Sequence, residues 1–289
     1  MTEQSNLHTE VLLIGNQEIA DGIYSMTLAA ADLVKAARPG QFVMVSVSKG
    51  IDPFLRRPFS IADIDQAAGT IGLLYQVVGD GTARMAAWEA GRQVDLLGPL
   101  GNGFTWHTDI SRAILVGGGL GTAALLPLAK ALRSQGKEVV AFVGARSAEL
   151  IMGLRQLEAY GCRVYCATED GSGGFHGFVT APLEIYLALN YEPNQEMDQA
   201  LGTDSSASTG AEADTMLFAC GPTPFLQAVA GFCETYPISG QLSLEERMGC
   251  GFGACIGCST PIRDGDAVIH KRACCDGPVF DAREVVFHG

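Results

Sequence analysis

No stretch of this chain is both long and unbroken enough to cross a membrane as a helix. The longest uncharged apolar run, Ala113–Ala129, is 17 residues and is interrupted by Gly117-Gly118-Gly119 and Pro127, whereas a span needs about 20 consecutive apolar residues. Basic charge is also scarce: 19 Lys and Arg stand against 32 Asp and Glu, a net charge of −13. Such a surface repels phosphate backbones and anionic lipid headgroups, so neither nucleic acid nor membrane is expected as a partner. The histidines, His8, His107, His176, His270 and His288, are scattered without the His-x3-His spacing of a zinc site. No G-x-S-x-G elbow is present either, so the common hydrolase constellations are missing. The opening Met-Thr-Glu-Gln-Ser-Asn lacks a basic region followed by an apolar stretch, and the cytoplasm is the expected compartment.

What the chain does have is length, glycine and cysteine. At about 150 residues per domain, a chain of 289 residues makes two domains, or three if one is small. With 47% hydrophobic residues, 36 glycines and only 18% charged residues it reads as compact and loop-rich. From Val11 to about Leu100, short β-rich runs such as 41–47 and 71–78 are punctuated by glycine, which predicts a barrel or sandwich with one helix at Ala83–Ala90. From Arg112 the pattern changes to strands at 113–116, 139–143 and 163–167 alternating with helices at 122–134 and 148–160, the order of a parallel α/β sheet. The polar segment Asn194–Asp214 has no apolar period and is expected to be a solvated, flexible insertion before a strand at 216–219. After Tyr236 the chain turns rich in cysteine and glycine.

Of nine cysteines, five fall between Cys250 and Cys275. An odd count in a chain of this size without a secretory signal argues against a disulfide framework and for metal. The order Cys250-x4-Cys255-x2-Cys258 with a distant fourth cysteine matches the plant-type ligand spacing of a [2Fe–2S] cluster. Interleaved Gly249, Gly251, Gly253 and Gly257 let the backbone wrap tightly and turn amides toward the sulfurs. Four thiolates also suit structural zinc, although zinc favours paired Cys-x2-Cys knuckles. Spacing leaves Cys274 and Cys275 equally open as the fourth ligand.

Three further motifs suit a nucleotide. The turn Gly117-Gly118-Gly119-Leu120-Gly121-Thr122, between a strand and an apolar helix, permits a pyrophosphate to approach the backbone. It departs from G-x-G-x-x-G at Thr122, and the next strand ends in Gly144-Ala145-Arg146 with no acidic residue for a ribose. In Arg57-Pro58-Phe59-Ser60 the guanidinium fork suits a phosphate and the hydroxyl a ring nitrogen. Gly79-Asp80-Gly81-Thr82 offers amides ahead of a helix, with Asp80 an adverse charge.

Taken in order, these motifs resemble the ferredoxin reductase-like flavoproteins. The tail Ser243–Cys258 and Lys271-Arg272-Ala273-Cys274-Cys275-Asp276-Gly277-Pro278-Val279-Phe280 is similar to the electron-transfer subunits of NAD-dependent dihydroorotate dehydrogenases. The resemblance implies an antiparallel β-barrel FAD domain over 1–108, a parallel α/β NAD domain over 109–236 with its insertion at 194–214, and a small [2Fe–2S] segment over 237–289. It further implies that Arg57, Pro58, Phe59, Ser60, Leu74, Tyr75, Gln76, Gly81 and Thr82 line FAD. Gly117, Gly118, Gly119, Gly121, Cys220, Gly221 and Pro222 would face NAD, and Cys250, Cys255, Cys258 and Cys274 would hold the cluster. The implied partner is an FMN-containing catalytic subunit, two of each chain forming a heterotetramer in pyrimidine biosynthesis. Another flavin and iron–sulfur small subunit, of a ferredoxin:NADP oxidoreductase or sulfite reductase type, shares the same domains.

Overall fold

The computed structural model describes residues 7–50, 52–191 and 214–287, and nearly all of the expected insertion at 194–214 lies outside them. Six antiparallel strands, β1 (Leu7–Ala20), β2 (Ile23–Ala29), β3 (Phe42–Val45), β4 (Arg57–Asp65), β5 (Thr70–Gln76) and β6 (Gln93–Leu100), close into a barrel in the order β1-β2-β5-β4-β3-β6. Alternation fixes its inside: Met26 and Leu28 of β2 are buried while Ser25 and Thr27 face outward. Two short helices accompany the barrel, α1 (Ala31–Ala36) and α2 (Asp80–Ala86). Helix α2 begins and ends earlier than the expected 83–90. The Thr82 hydroxyl accepts the N–H groups of Val78 (2.9 Å) and Gly79 (3.3 Å), which starts the first turn at Asp80.

The second half is a seven-stranded sheet. Strands β7 (Arg112–Gly118), β8 (Glu138–Ala145), β9 (Arg163–Thr168), β10 (Phe175–His176), β11 (Thr215–Cys220) and β12 (Ser239–Ser243) run parallel in the order β10-β9-β8-β7-β11-β12. Helix α3 (Thr122–Ser134) covers one face. The region expected as a helix at 148–160 is a 3₁₀ turn at Ala148–Leu150 followed by α4 (Leu154–Ala159). The break falls at Gly153, whose φ of +75° takes it out of helical geometry, and a Cβ there would lie 2.6 Å from Leu126 of α3. Helices α5 (Thr180–Asn190) and α6 (Thr223–Thr235) cover the other face. Strand β7 shows why its sequence is continuously apolar: Ile114 and Val116 pack toward α5 and α6, Ala113 and Leu115 toward α3.

Past β12 the chain leaves the sheet for a cysteine loop and a hairpin, β13 (Ser259–Asp264) and β14 (Ala267–Arg272), then returns as β15 (Val279–Asp281) antiparallel to β12. The sheet thus draws strands from both sides of Tyr236. No helix among the described residues is long and apolar enough to cross a membrane.

Candidate functional site

A cavity of about 400 Å³ lies where the barrel meets the sheet. Strand β4 brings Pro58, Phe59 and Ser60 to it, strand β5 brings Leu74, Tyr75 and Gln76, and α2 brings Thr82. Arg57 and Gly81 lie against each other beside these residues, since a Cβ on Gly81 would stand 2.8 Å from Arg57 Nε. The guanidinium also donates to the Leu55 carbonyl. Tyr75 is fixed at the cavity wall: its hydroxyl donates to Asn16 Oδ1 at 2.9 Å, and its ring packs edge-on to Phe59 with centroids 5.7 Å apart. Burial pushes the phenol up to about 12, so it stays a neutral donor.

The rest of the wall comes from residues that the sequence motifs did not assign to FAD. Leu120 and Ala123 enter from the β7–α3 turn, and Leu244, Glu245, Glu246 and Met248 from the segment after β12. Strands β7 and β12 end at the same carboxyl edge of the sheet, where α/β proteins open their crevices. The Thr260 hydroxyl donates to Glu246 Oε1 at 3.0 Å. Glu245 is exposed yet has protein atoms crowded around its carboxyl, and that desolvation raises it above the ordinary value.

A second cavity, of about 490 Å³, opens at the same edge of the sheet. Gly118, Gly119 and Pro222 line it, as the glycine turn suggested, while Gly117, Gly121, Cys220 and Gly221 are buried and do not line it. Gly121 packs tightly on β11: a Cβ there would meet the Cys220 carbonyl oxygen at 2.5 Å. Burial pushes the Cys220 thiol up to about 12. Arg146 and Glu169 both line the outer part of the cavity. The Glu169 N–H donates to the Ala145 carbonyl at 3.1 Å, which places an acidic residue just after β9 beside the end of β8. The exposed ring of Phe178 and the ring of Phe225 complete the wall. The two cavities share one partition, for Gly118 and Gly119 face the second and the next residue, Leu120, the first.

The cysteines gather beside the barrel. Cys250 and Cys255 stand next to each other in the loop, and Cys274 stands beside Cys258 and Cys275. Cys258 and Cys274 are 2% and 1% exposed and pack against Phe42, Met44 and Leu100, whereas Cys255 faces solvent. Backbone amides point at the sulfurs: Ala254 N–H donates to Cys250 Sγ (3.3 Å), Gly257 N–H to Cys255 Sγ (3.5 Å) and Cys274 N–H to Cys258 Sγ (3.4 Å). Burial alone would raise the Cys250 thiol, but the amides of Phe252, Cys255 and Ala254, with the neighbouring Cys255 thiol, outweigh it and bring it to about 7. Burial and the adjacent thiols of Cys258 and Cys275 raise Cys274. Gly251, at φ +81°, has no room for a side chain, since a Cβ would lie 2.5 Å from Met44 Cγ. Ile256, a β-branched residue at φ +60°, carries real backbone strain and is 65% exposed, and Phe252 in the same loop is also exposed.

Among the described residues no three Cys, His, Asp or Glu side chains converge on one point as a mononuclear site requires. Cys250 stands with Cys255 and Cys274 with Cys258, the latter also beside Cys275, and amides reach three of these sulfurs; two such pairs are a donor set that fits two irons taking two thiolates each. Phe42 and Met248 belong both to the wall of the first cavity and to the cluster of side chains around Cys258 and Cys274. One layer of apolar side chains therefore separates that cavity from the buried thiols.

Comparison with known proteins agrees with this geometry. Residues 245–286 match the family model described as the iron–sulfur cluster binding domain of dihydroorotate dehydrogenase B. The chain is 40% identical over 270 residues to the dihydroorotate dehydrogenase B (NAD(+)) electron transfer subunit of Bacillus caldolyticus, covering 93% of this chain and 94% of the relative. The chain belongs to the family of dihydroorotate dehydrogenase B electron transfer subunits. A second family member, from Bacillus velezensis, is 39% identical over 275 residues, covering 93% and 95% of the two chains. Among solved structures, that of an NADH-dependent reduced ferredoxin-NADP oxidoreductase superposes with a TM-score of 0.76 at 28% identity, covering 96% of this chain and 90% of the other. A ferredoxin NADP+ reductase from Neisseria gonorrhoeae with bound FAD and NADP shares the fold at a TM-score of 0.59 and 16% identity, covering 82% and 99%. The family's architecture of barrel, parallel sheet and iron–sulfur segment is the one described above.

Proposed function

We propose that this chain is the electron-transfer subunit of an NAD-dependent dihydroorotate dehydrogenase of pyrimidine biosynthesis. It takes electrons from an FMN-containing catalytic subunit at the iron–sulfur segment and delivers them through FAD to NAD, in a cytoplasmic assembly of two copies of each chain. The reading rests above all on the contiguity of the three sites: Phe42 and Met248 join the cysteines to the first cavity, and the 118–120 turn joins that cavity to the second. When bound, FAD supplies the exchange between hydride and single-electron transfer, and the [2Fe–2S] cluster supplies the single-electron relay.

The chain's own residues have separable roles. Residues 1–108 form the FAD domain, residues 109–236 with β12 and β15 the NAD domain, and the intervening cysteine loop and hairpin the iron–sulfur segment. In the first cavity Arg57, beside Gly81 and Thr82, meets the pyrophosphate. Pro58, Phe59, Leu74, Tyr75 and Gln76 hold the ring system, and Ser60 donates to a ring nitrogen. Glu245 stands at the wall beside the ring. In the second cavity Gly118 and Gly119 receive the NAD pyrophosphate beside the buried Gly117, Gly121, Cys220 and Gly221, with Pro222 at the side. Glu169 accepts the ribose hydroxyl and repels a 2′-phosphate, which selects NAD over NADP. Cys250, Cys255, Cys258 and Cys274 ligate the cluster, while Phe42 and Met248 exclude water between the two redox centres. The exposed Cys255 with Phe252 and Ile256 forms the face toward the partner.

Replacing Cys258 with Ser tests the reading. In the reconstituted complex, C258S is expected to abolish NAD reduction by dihydroorotate while NADH oxidation by an artificial acceptor such as ferricyanide persists. Retained coupled turnover in C258S would contradict the proposed route.

A further inference from the structure

Arg272 closes β14 two residues before Cys274, and its side chain reaches back across the cysteine loop. Its Nη1 donates to the Gly253 carbonyl at 2.9 Å, between Cys250 and Cys255. Its Nε and Nη2 donate to the Asp276 carboxylate at 3.0 and 3.4 Å, and its backbone N–H donates to the same carboxylate at 2.8 Å. One guanidinium thus ties the loop bearing three cysteines to the turn bearing Cys274. Gly253, at φ +89°, permits the close approach: a Cβ there would lie 2.9 Å from Cys275 Sγ and 3.2 Å from Arg272 Nη1. From the other side Asn102 of the barrel pins the same turn. Its Nδ2 donates to the carbonyls of Cys275 (3.3 Å) and Asp276 (3.0 Å), and its N–H donates to the Gly277 carbonyl at 2.6 Å.

These contacts exceed what an exposed ion pair ordinarily accomplishes. The planar fork of arginine serves a carbonyl and a carboxylate in different directions at once, which a lysine ammonium on a flexible stem does poorly. We propose that Arg272 is a positioning residue for the iron–sulfur cluster, locking the Cys250–Cys258 loop to the Cys274 turn and so fixing the separation of the two thiol pairs. The proposal rests on the iron–sulfur reading above. It assigns Cys275 no bond to iron; that thiol packs against Gly253.

The test uses the full chain purified anaerobically as wild type, R272K, D276N and C275S. The readouts are FAD per chain, iron per chain, the electron paramagnetic resonance spectrum of the reduced cluster, and the rate of iron loss to a chelator. Wild type is expected to carry two irons, and R272K and D276N to keep full FAD, shift the resonance g values and lose iron about 10-fold faster, the scale on which supporting partners of metal ligands act. C275S is expected to behave as wild type. R272K and D276N with wild-type spectra and loss rates would overturn the proposal, and so would loss of iron in C275S. A wild-type chain that binds FAD but no iron would overturn the iron–sulfur reading itself, a result distinct from failure of the clamp alone.

Discussion

At the scale of single residues, the chemistry depends on side chains moved away from their ordinary protonation by what surrounds them. Cys250 is lowered to about 7 by amide donors, while Cys220 is pushed up to about 12 by burial and remains a thiol. Glu245 is the most exposed to test. Its carboxyl titrates near 4.5 when unfolded, and desolvation raises it in the folded chain. Between those two values the folded state holds the extra proton, so this group's contribution to stability falls as pH rises through that window. The substitution E245Q removes the titration. Its Tm relative to wild type is expected to increase as pH is raised from 4.5 toward 7, measured on flavin-loaded protein by differential scanning. A Tm difference that does not change with pH would contradict the burial assigned to this carboxyl.

At the scale of elements, the strand ends make the sites, and their legibility in the sequence was uneven for physical reasons. The motif around Ser60 and the glycine turn are local, since a phosphate or ring needs contiguous backbone, and both line cavities. The α/β alternation was equally plain, because buried parallel strands must be apolar on both faces. Helix α4 was misjudged because its break at Gly153 arises from packing against Leu126, a contact that no window of sequence contains. Leu244, Glu245 and Met248 were missed for a similar reason, as only the pairing of β12 with β11 brings them opposite β5. Glu169 was overlooked because an acidic residue was sought only at the end of β8, whereas the one that lines the second cavity follows β9. If Glu169 selects NAD, E169Q lowers the ratio of NADPH to NADH dissociation constants by roughly 10-fold, the order of one lost charge-assisted hydrogen bond. Fluorescence titration measures both constants, and an unchanged ratio would remove Glu169 from cosubstrate choice.

At the scale of the whole molecule, the arrangement is a line of three sites whose walls are shared. The barrel half of the chain contributes about half of the first cavity's wall and the β7–α3 turn and the segment after β12 the rest, and the cysteine segment leaves and rejoins the sheet through β12 and β15, which anchors it beside the barrel. Such sharing has a thermodynamic consequence: a ligand filling the first cavity contacts all three parts and stabilises them together. The sequence announced the parts in order, but their contiguity came from Phe42, Met248 and Leu120, apolar residues to which the motifs assign no cofactor. The claim that electrons pass along this line is tested most directly by the visible absorption spectrum of the purified chain, recorded anaerobically before and after NADH. The account predicts flavin bands superposed on broad iron–sulfur absorption, both bleached by NADH in the absence of any partner. Flavin bands that bleach while the iron–sulfur absorption stays oxidised, or a protein carrying no iron at all, would contradict it.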